Sequence, residues 1–201
     1  MTPDEIAKLF TRTDGTFLFA RWERPLVPVV FGVDEATLPI IKGACEAMVG
    51  LANHSMAETD PELGANFMIF FVRDWAELRD VPDLHRLIPN MTELLDRLNS
   101  EKANQYRVFR FEPSGAIRAC FSFVVLDANL ESVAAEVLAL NQILQAILLW
   151  SDNAFVEQSA LVQVNGTTML RPDLAAVIRA AYDPVLPTYS ADPTHCYRLA
   201  A

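Results

Sequence analysis

The segment NFMIFFV, residues 66–72, is apolar at every position after its asparagine. Side chains of a strand alternate between two faces, so such a run has no face to give to water. It is predicted to be an inner strand covered on both sides. The clearest strand pair lies further on. QYRVFRF and AIRACFSFVV flank EPSG and form a hairpin. In its second strand Ile117, Ala119, Phe121, Phe123 and Val125 line one face, and Arg118, Cys120 and Ser122 the other.

The remaining elements are read around these strands. TPDEIAKLF opens with a helix signature, with Thr2 as N-cap, Pro3 at the first helical position and Glu5 completing a capping box. GTFLFARW (15–22) and LVPVVFG (26–32) read as two strands joined by a short turn at Arg24 and Pro25. Pro28 places the second at a sheet edge. A helix is expected from about Glu35 to Asn53, where Ile40, Ile41, Ala44, Met48 and Leu51 recur near helical spacing. Short helical pieces broken by Pro82 and Pro89 follow, with a longer helix from about Thr92. Asp127 is positioned to cap a long central helix over about 128–150. LVQVNGTTML, with Asn-Gly, reads as a small hairpin, and RPDLAAVIRAAYD as a helix. A Pro-rich tail from about 184 is expected to strap along the surface. The sum is one α+β domain over 1–201, a mixed, mostly antiparallel sheet packed by helices.

Charge and cysteine usage narrow the function classes. The net charge is −10, which argues against binding a phosphate backbone or an anionic lipid surface. No nucleic-acid or membrane partner is expected. High apolar content permits a homo-oligomer or a protein partner without requiring either. Cys45, Cys120 and Cys196 form no CxxC pair, so they read as reduced thiols in a cytoplasmic protein. The acidic N-terminal stretch shows no signal peptide. Residues 130–150 are too interrupted by Glu131, Glu136, Asn141, Gln142 and Gln145 to read as a membrane span.

Candidate chemistry is sparse. His54, His85 and His195 are the only histidines, and no HExxH is present. His54 and Glu58 could share a helical face, yet two ligands fall short of the three or four that zinc takes, so a polar helix end is the better reading. Cys196 beside His195 lacks an orienting partner for nucleophilic catalysis. No Gly-rich phosphate loop occurs. YRVFRF interleaves aromatics and arginines as some RNA-binding strands do, but in an acidic chain it reads as a half-buried sheet strand. No metal, cofactor or catalytic residue is predicted.

One unusual stretch is left, LNQILQAILLWSD, residues 140–152. Asn141 and Gln145 stand one turn apart on a helix, with Gln142 beside them. Laid over H-E-x-x-H, NQILQ puts amides where two zinc-binding histidines and a catalytic glutamate would be. They are candidates for the remnant of a dismantled metal site. The plainer alternative is a hydrogen-bonded polar seam against the sheet or another helix. Buried amides need partners, and the loop after Trp150 or the helix at Asp173 is expected to supply backbone ones.

Four pieces together resemble a bacterial family of unknown function with a zincin-like, metalloprotease-related architecture. They are FARWERPLVPVVFG, GANFMIFFV, NQILQAILLWSD and LRPDLAAVIRAAYDPVLP, spanning most of residues 17–187 in the same order. The resemblance implies a zincin-like core around the central helix, where that family commonly carries an E-E-x-x-Q pattern in place of the zinc motif. Here Asn141 and Gln142 replace the two glutamates. Relatives are commonly exported. Neutral amides are poor zinc ligands, and Gln142 cannot serve as a general base, so peptidase chemistry is expected to be absent. A non-catalytic scaffold that binds a partner or self-associates is the leading expectation. The alternatives are a hydrolase using Asp127, Glu131 and Glu136, and a small-molecule binding module with its pocket between the long helix and the sheet.

Overall fold

A computed structural model describes residues 1–200. Its central sheet has four strands: β2 (Pro28–Phe31), β3 (Phe67–Val72), β5 (Ile117–Val125) and β4 (Gln105–Phe111), in the spatial order β2-β3-β5-β4. The first three are parallel, and β4 runs antiparallel to β5 on the far edge. Alternation in β3 works as its sequence requires. Phe67, Ile69 and Phe71 join one core cluster, and Phe70 and Val72 join another on the opposite face. The first cluster is completed by α2 (Leu38–Leu51) and α5 (Ala135–Ile147). The second is closed by the 3₁₀ turn Trp75–Asp80, α3 (Leu84–Leu87) and α4 (Met91–Ser100). Helical layers therefore cover both faces, within a single α+β domain.

Two small sheets, both antiparallel, flank the central one. They are β1 (Phe19–Ala20) with β8 (Tyr189–Ser190), and β6 (Leu161–Val164) with β7 (Thr167–Leu170). Across all sheets the antiparallel pairings are in the majority, although the central sheet itself is parallel at β2–β3 and β3–β5. Two more helices, α1 (Pro3–Phe10) and α6 (Pro172–Ala181), pack at the periphery. The capping box of α1 forms as expected, with the Thr2 backbone N–H donating to Glu5 Oε2 at 2.7 Å.

Four expectations are corrected. Segments 15–22 and 26–32 do not pair with each other. β1 pairs with β8, and β2 runs parallel to β3. The chain between them instead crosses the core extended, with Trp22 and Leu26 fully buried and bridged to Ile117 and Met56. The central helix spans Ala135–Ile147, not 128–150. Asp127 accepts from the N–H groups of Asn129 and Leu130 and closes a separate turn, after which Ala134 turns extended (ψ 141°) and the helix restarts. At its other end Leu148 leaves the helix to bridge Arg21. The tail runs along the surface to about Thr194, but its end turns inward. After β8 it ends in a short helix, α7 (Cys196–Leu199), which packs on α1 and buries Cys196 and Leu199. Finally, Ile117 does not share a face with Ala119, Phe121, Phe123 and Val125: across an irregularity in the β4–β5 register it joins the core cluster of Cys120 and Val124, and those four join the other.

Candidate functional site

The register of the β4–β5 hairpin sets the site. Arg107 stands opposite Ser122, and alternation turns Gln105, Arg107 and Phe109 toward α5, whereas Tyr106 and Val108 pack into the other layer. On α5 the fully buried Gln142 faces this row. Its Oε1 accepts from Arg107 Nη2 at 2.9 Å and from the buried Ser122 hydroxyl at 2.8 Å. Its Nε2 donates to Gln105 Oε1 at 2.9 Å, and that oxygen also accepts from Arg107 Nη2 at 3.1 Å. One turn on, Gln145 Oε1 accepts from Arg107 Nη1 at 2.6 Å, while Gln145 Nε2 donates to Asn141 Oδ1 at 2.9 Å.

All three predicted amides thus meet in one network, and its centre is a residue the sequence reading did not single out. Their expected backbone partners are not used. No bond runs to the loop after Trp150, and Asp173 is occupied by Arg171. Arg107 attracts the amides because a half-buried guanidinium needs acceptors and no carboxylate is within ion-pairing reach among the described residues. Burial pushes its pKa down to about 10, which leaves it charged at neutral pH. Its Nε–H is removed from water and makes no hydrogen bond.

Arg107 and Gln145 line a cleft of about 660 Å³ between β4 and the segment 149–156. Aromatic groups form its walls. Trp150 is fixed there by donating from Nε1 to Leu144 O at 2.8 Å and by stacking on Phe10, with Phe155 edge-on at 5.3 Å. Trp22 Nε1 and Tyr182 Oη bond the carbonyls of Ala146 and Ile147, so the buried end of α5 is pinned by three aromatic donors. This keeps Gln142 and Gln145 in place. Arg12 and Asp152, both exposed, complete the rim. The arrangement supplies a fixed cation, amide dipoles and apolar walls. Among the described residues, its lining holds no histidine, cysteine or glutamate.

A second, smaller crevice of about 320 Å³ opens at the carboxyl ends of β2, β3 and β5. There the chain leaves β3 toward one face and leaves β2 and β5 toward the other. Gly32 permits the close approach, since φ is +80° and a Cβ would lie 1.9 Å from Phe71 O. The crevice is apolar apart from Asp34, Thr37 and Glu131.

The carboxylates weighed for a hydrolase are not assembled. Asp127 is bonded by Asn104 Nδ2 and its own turn, and of the three only Glu131 lines that crevice, with Glu136 exposed. His54 contacts Arg24 O at 3.0 Å and packs on Tyr182, while Glu58 is exposed. His195 lies against Phe19 with its Nε2 unbonded, and Cys196 is buried with its thiol pKa pushed up to about 11, so they form no nucleophilic pair. No group of three or more His, Cys, Asp or Glu side chains that could hold a metal ion occurs among the described residues.

A charged knot at the amino ends of β2, β3 and β5 was also not foreseen. Asp60, 4% exposed, accepts from Arg24, Asn66 and the N–H groups of Glu62 and Leu63. Arg24 reaches on to Glu112 in the hairpin turn. Burial alone would raise the Asp60 pKa; the Leu63 N–H, the Arg24 guanidinium and the Glu62 N–H outweigh it and bring it to about 2. Every partner lies inside the protein, so the knot reads as a structural tie. Comparison with protein-family models, with curated proteins and with solved structures finds no match.

Proposed function

We propose that this protein is a non-catalytic binding protein on a zincin-like scaffold, with its ligand seated in the cleft between β4 and residues 149–156. The carrying observation is the capture of Gln142 and Gln145 by Arg107. Those amides stand at the positions that a zinc peptidase would give to its glutamate and second histidine. A guanidinium bonded to them leaves neither a base nor a metal-ligand set in the cleft. The scaffold reading is further supported by α5 being the next element after an antiparallel strand pair, as the metal helix of a zincin is. Binding is supported by the cleft volume, which lies within the range of ligand sites, and by an aromatic lining around a few convergent polar groups.

The test has two parts. Hydrolysis of fluorogenic casein is measured with and without added zinc, and ligand-observed NMR is run with a mixture of aromatic fragments. The reading expects no hydrolysis, and fragment contacts that disappear in Phe155→Ala. Zinc-dependent hydrolysis abolished by Gln142→Ala would overturn it, as would fragment binding indifferent to Phe155.

A further inference from the structure

We infer that the ligand of this cleft is an organic monoanion, a carboxylate on an apolar or aromatic body, with the carboxylate paired to Arg107. The inference rests on the binding reading above and gives it a ligand class. The chain has 26 acidic residues against 16 basic ones, so carboxylates are abundant as partners for its arginines. Arg24, Arg79, Arg86, Arg118 and Arg171 all hold carboxylates. Arg21 and the half-buried Arg110 also lack a carboxylate and spend their Nη groups on backbone carbonyls, those of Trp22 and Leu186 for Arg21 and of Phe109 and Leu87 for Arg110. Arg107 is different because its partners are neutral side-chain amides at the floor of an open cleft.

A guanidinium carries five N–H donors. Three bonds go to Gln105, Gln142 and Gln145 and the Nε–H is buried, which leaves one N–H on Nη1 for a ligand. The amide acceptors hold the group in position without cancelling its charge. An anion entering the cleft then gains a charge-assisted bond in a partly desolvated site, where it is stronger than in water. The lining also sets the charge of the ligand. Arg12 and Arg107 contribute two positive charges and Asp152 one negative, a balance of +1. A monoanion neutralises that balance, whereas a phosphate dianion would leave a net negative charge in a partly desolvated site. Arg12 makes no ion pair among the described residues and can close over the anion from the rim. Phe109, Phe111, Trp150 and Phe155 leave the rest of the ligand an apolar surface.

Calorimetric titration with phenylacetate, 2-phenylethanol and phenyl phosphate separates the alternatives. The parent protein should bind phenylacetate about tenfold more tightly than the alcohol, one strong charge-assisted bond's worth, and more tightly than the phosphate. Arg107→Gln should erase that preference. Arg12→Gln, at an exposed residue outside the network, should weaken phenylacetate several-fold and leave the alcohol unchanged, and it tests the charge even if Arg107→Gln does not fold. Equal affinities for acid and alcohol, tighter binding of phenyl phosphate, or no binding of any probe would overturn the assignment. So would acid binding untouched by both variants. If the alcohol binds, is lost in Phe155→Ala, and the acid shows no advantage, the cleft remains a binding site and only the carboxylate assignment fails.

Discussion

Replacing Gln142 with leucine isolates the network at its most buried point. The side chain is fully excluded from solvent and makes three hydrogen bonds. Leucine removes the acceptor of a charge-assisted bond from Arg107, worth about 1.5–3 kcal/mol. It also strands the Ser122 hydroxyl, which has no exposure, at about 1–3 kcal/mol. Burying the extra apolar surface returns roughly 1–2 kcal/mol. The net expected loss is about 3 kcal/mol, or a fall in Tm of roughly 6–12 °C for a chain of this size. Gln145 is only half-buried and both it and Arg107 line the cleft, where water can take its place. Gln145→Leu should therefore cost less, about 1–2 kcal/mol. Asn141 reaches Arg107 only through Gln145, so Asn141→Ala should stay near about 0.5 kcal/mol.

Urea unfolding followed by far-UV circular dichroism gives these differences directly. Ser122→Ala added to Gln142→Leu should recover about 1 kcal/mol, because the stranded hydroxyl is gone. A Gln142→Leu protein within about 0.5 kcal/mol of the parent, or one less affected than Gln145→Leu, would refute the network as a stabilising device.

Asp60 should make the fold acid-sensitive. Its folded pKa is lowered from 3.8 to about 2, so its contribution is complete above the unfolded value and is lost as pH falls through the folded one. Parent stability should drop by about 2 kcal/mol between roughly pH 4 and pH 2, and Asp60→Asn should abolish that part of the slope. An unchanged slope in the variant, measured by urea titration at several pH values, would contradict the assignment. Two glycines should respond with opposite signs. Gly32→Ala meets both a positive φ and the Phe71 carbonyl and should cost at least about 2 kcal/mol, whereas Gly43→Ala, exposed inside α2 with nothing near its Cβ, should gain up to about 1 kcal/mol. Equal Tm shifts in the two variants would count against the close packing of β2 on β3.

The elements visible in the sequence were those whose evidence is local. β3 announced itself by being apolar on both alternating faces, the β4–β5 hairpin by EPSG, β6–β7 by Asn-Gly, and the pieces between 75 and 100 by Pro82 and Pro89. What escaped was decided at a distance. Residues 26–32 and 15–22 look like neighbours, yet β2 finds its partner in β3 across the whole of α2, and β1 finds its partner in the tail. The helix at 128–150 was overlong because an apolar pattern continued through a backbone break at Ala134 that no glycine or proline marks. Asp60 left a local trace, since DPEL has the Asp-Pro-Glu form of a capped turn and its carboxylate does accept from Glu62 and Leu63. Nothing in that trace tells of Arg24, 36 residues away.

The amides were legible as an oddity and their partner was not, and the reason lies in how polar residues enter a core. A buried glutamine announces only that some donor or acceptor must meet it. The donor here sits on a strand whose other residues read as an ordinary half-buried edge. Only the pairing of Arg107 with Ser122 across the hairpin brings it under α5. Had the helix carried a glutamate at 142 or 145, a closed ion pair would satisfy Arg107 and neutralise it. Amides satisfy the geometry and leave the charge in place. A cation held by neutral acceptors beside an open aromatic cleft costs desolvation that a purely structural clasp has no need to incur. On the binding reading proposed above, three amides on so apolar a helix would keep that charge available to a ligand in the cleft above Arg107.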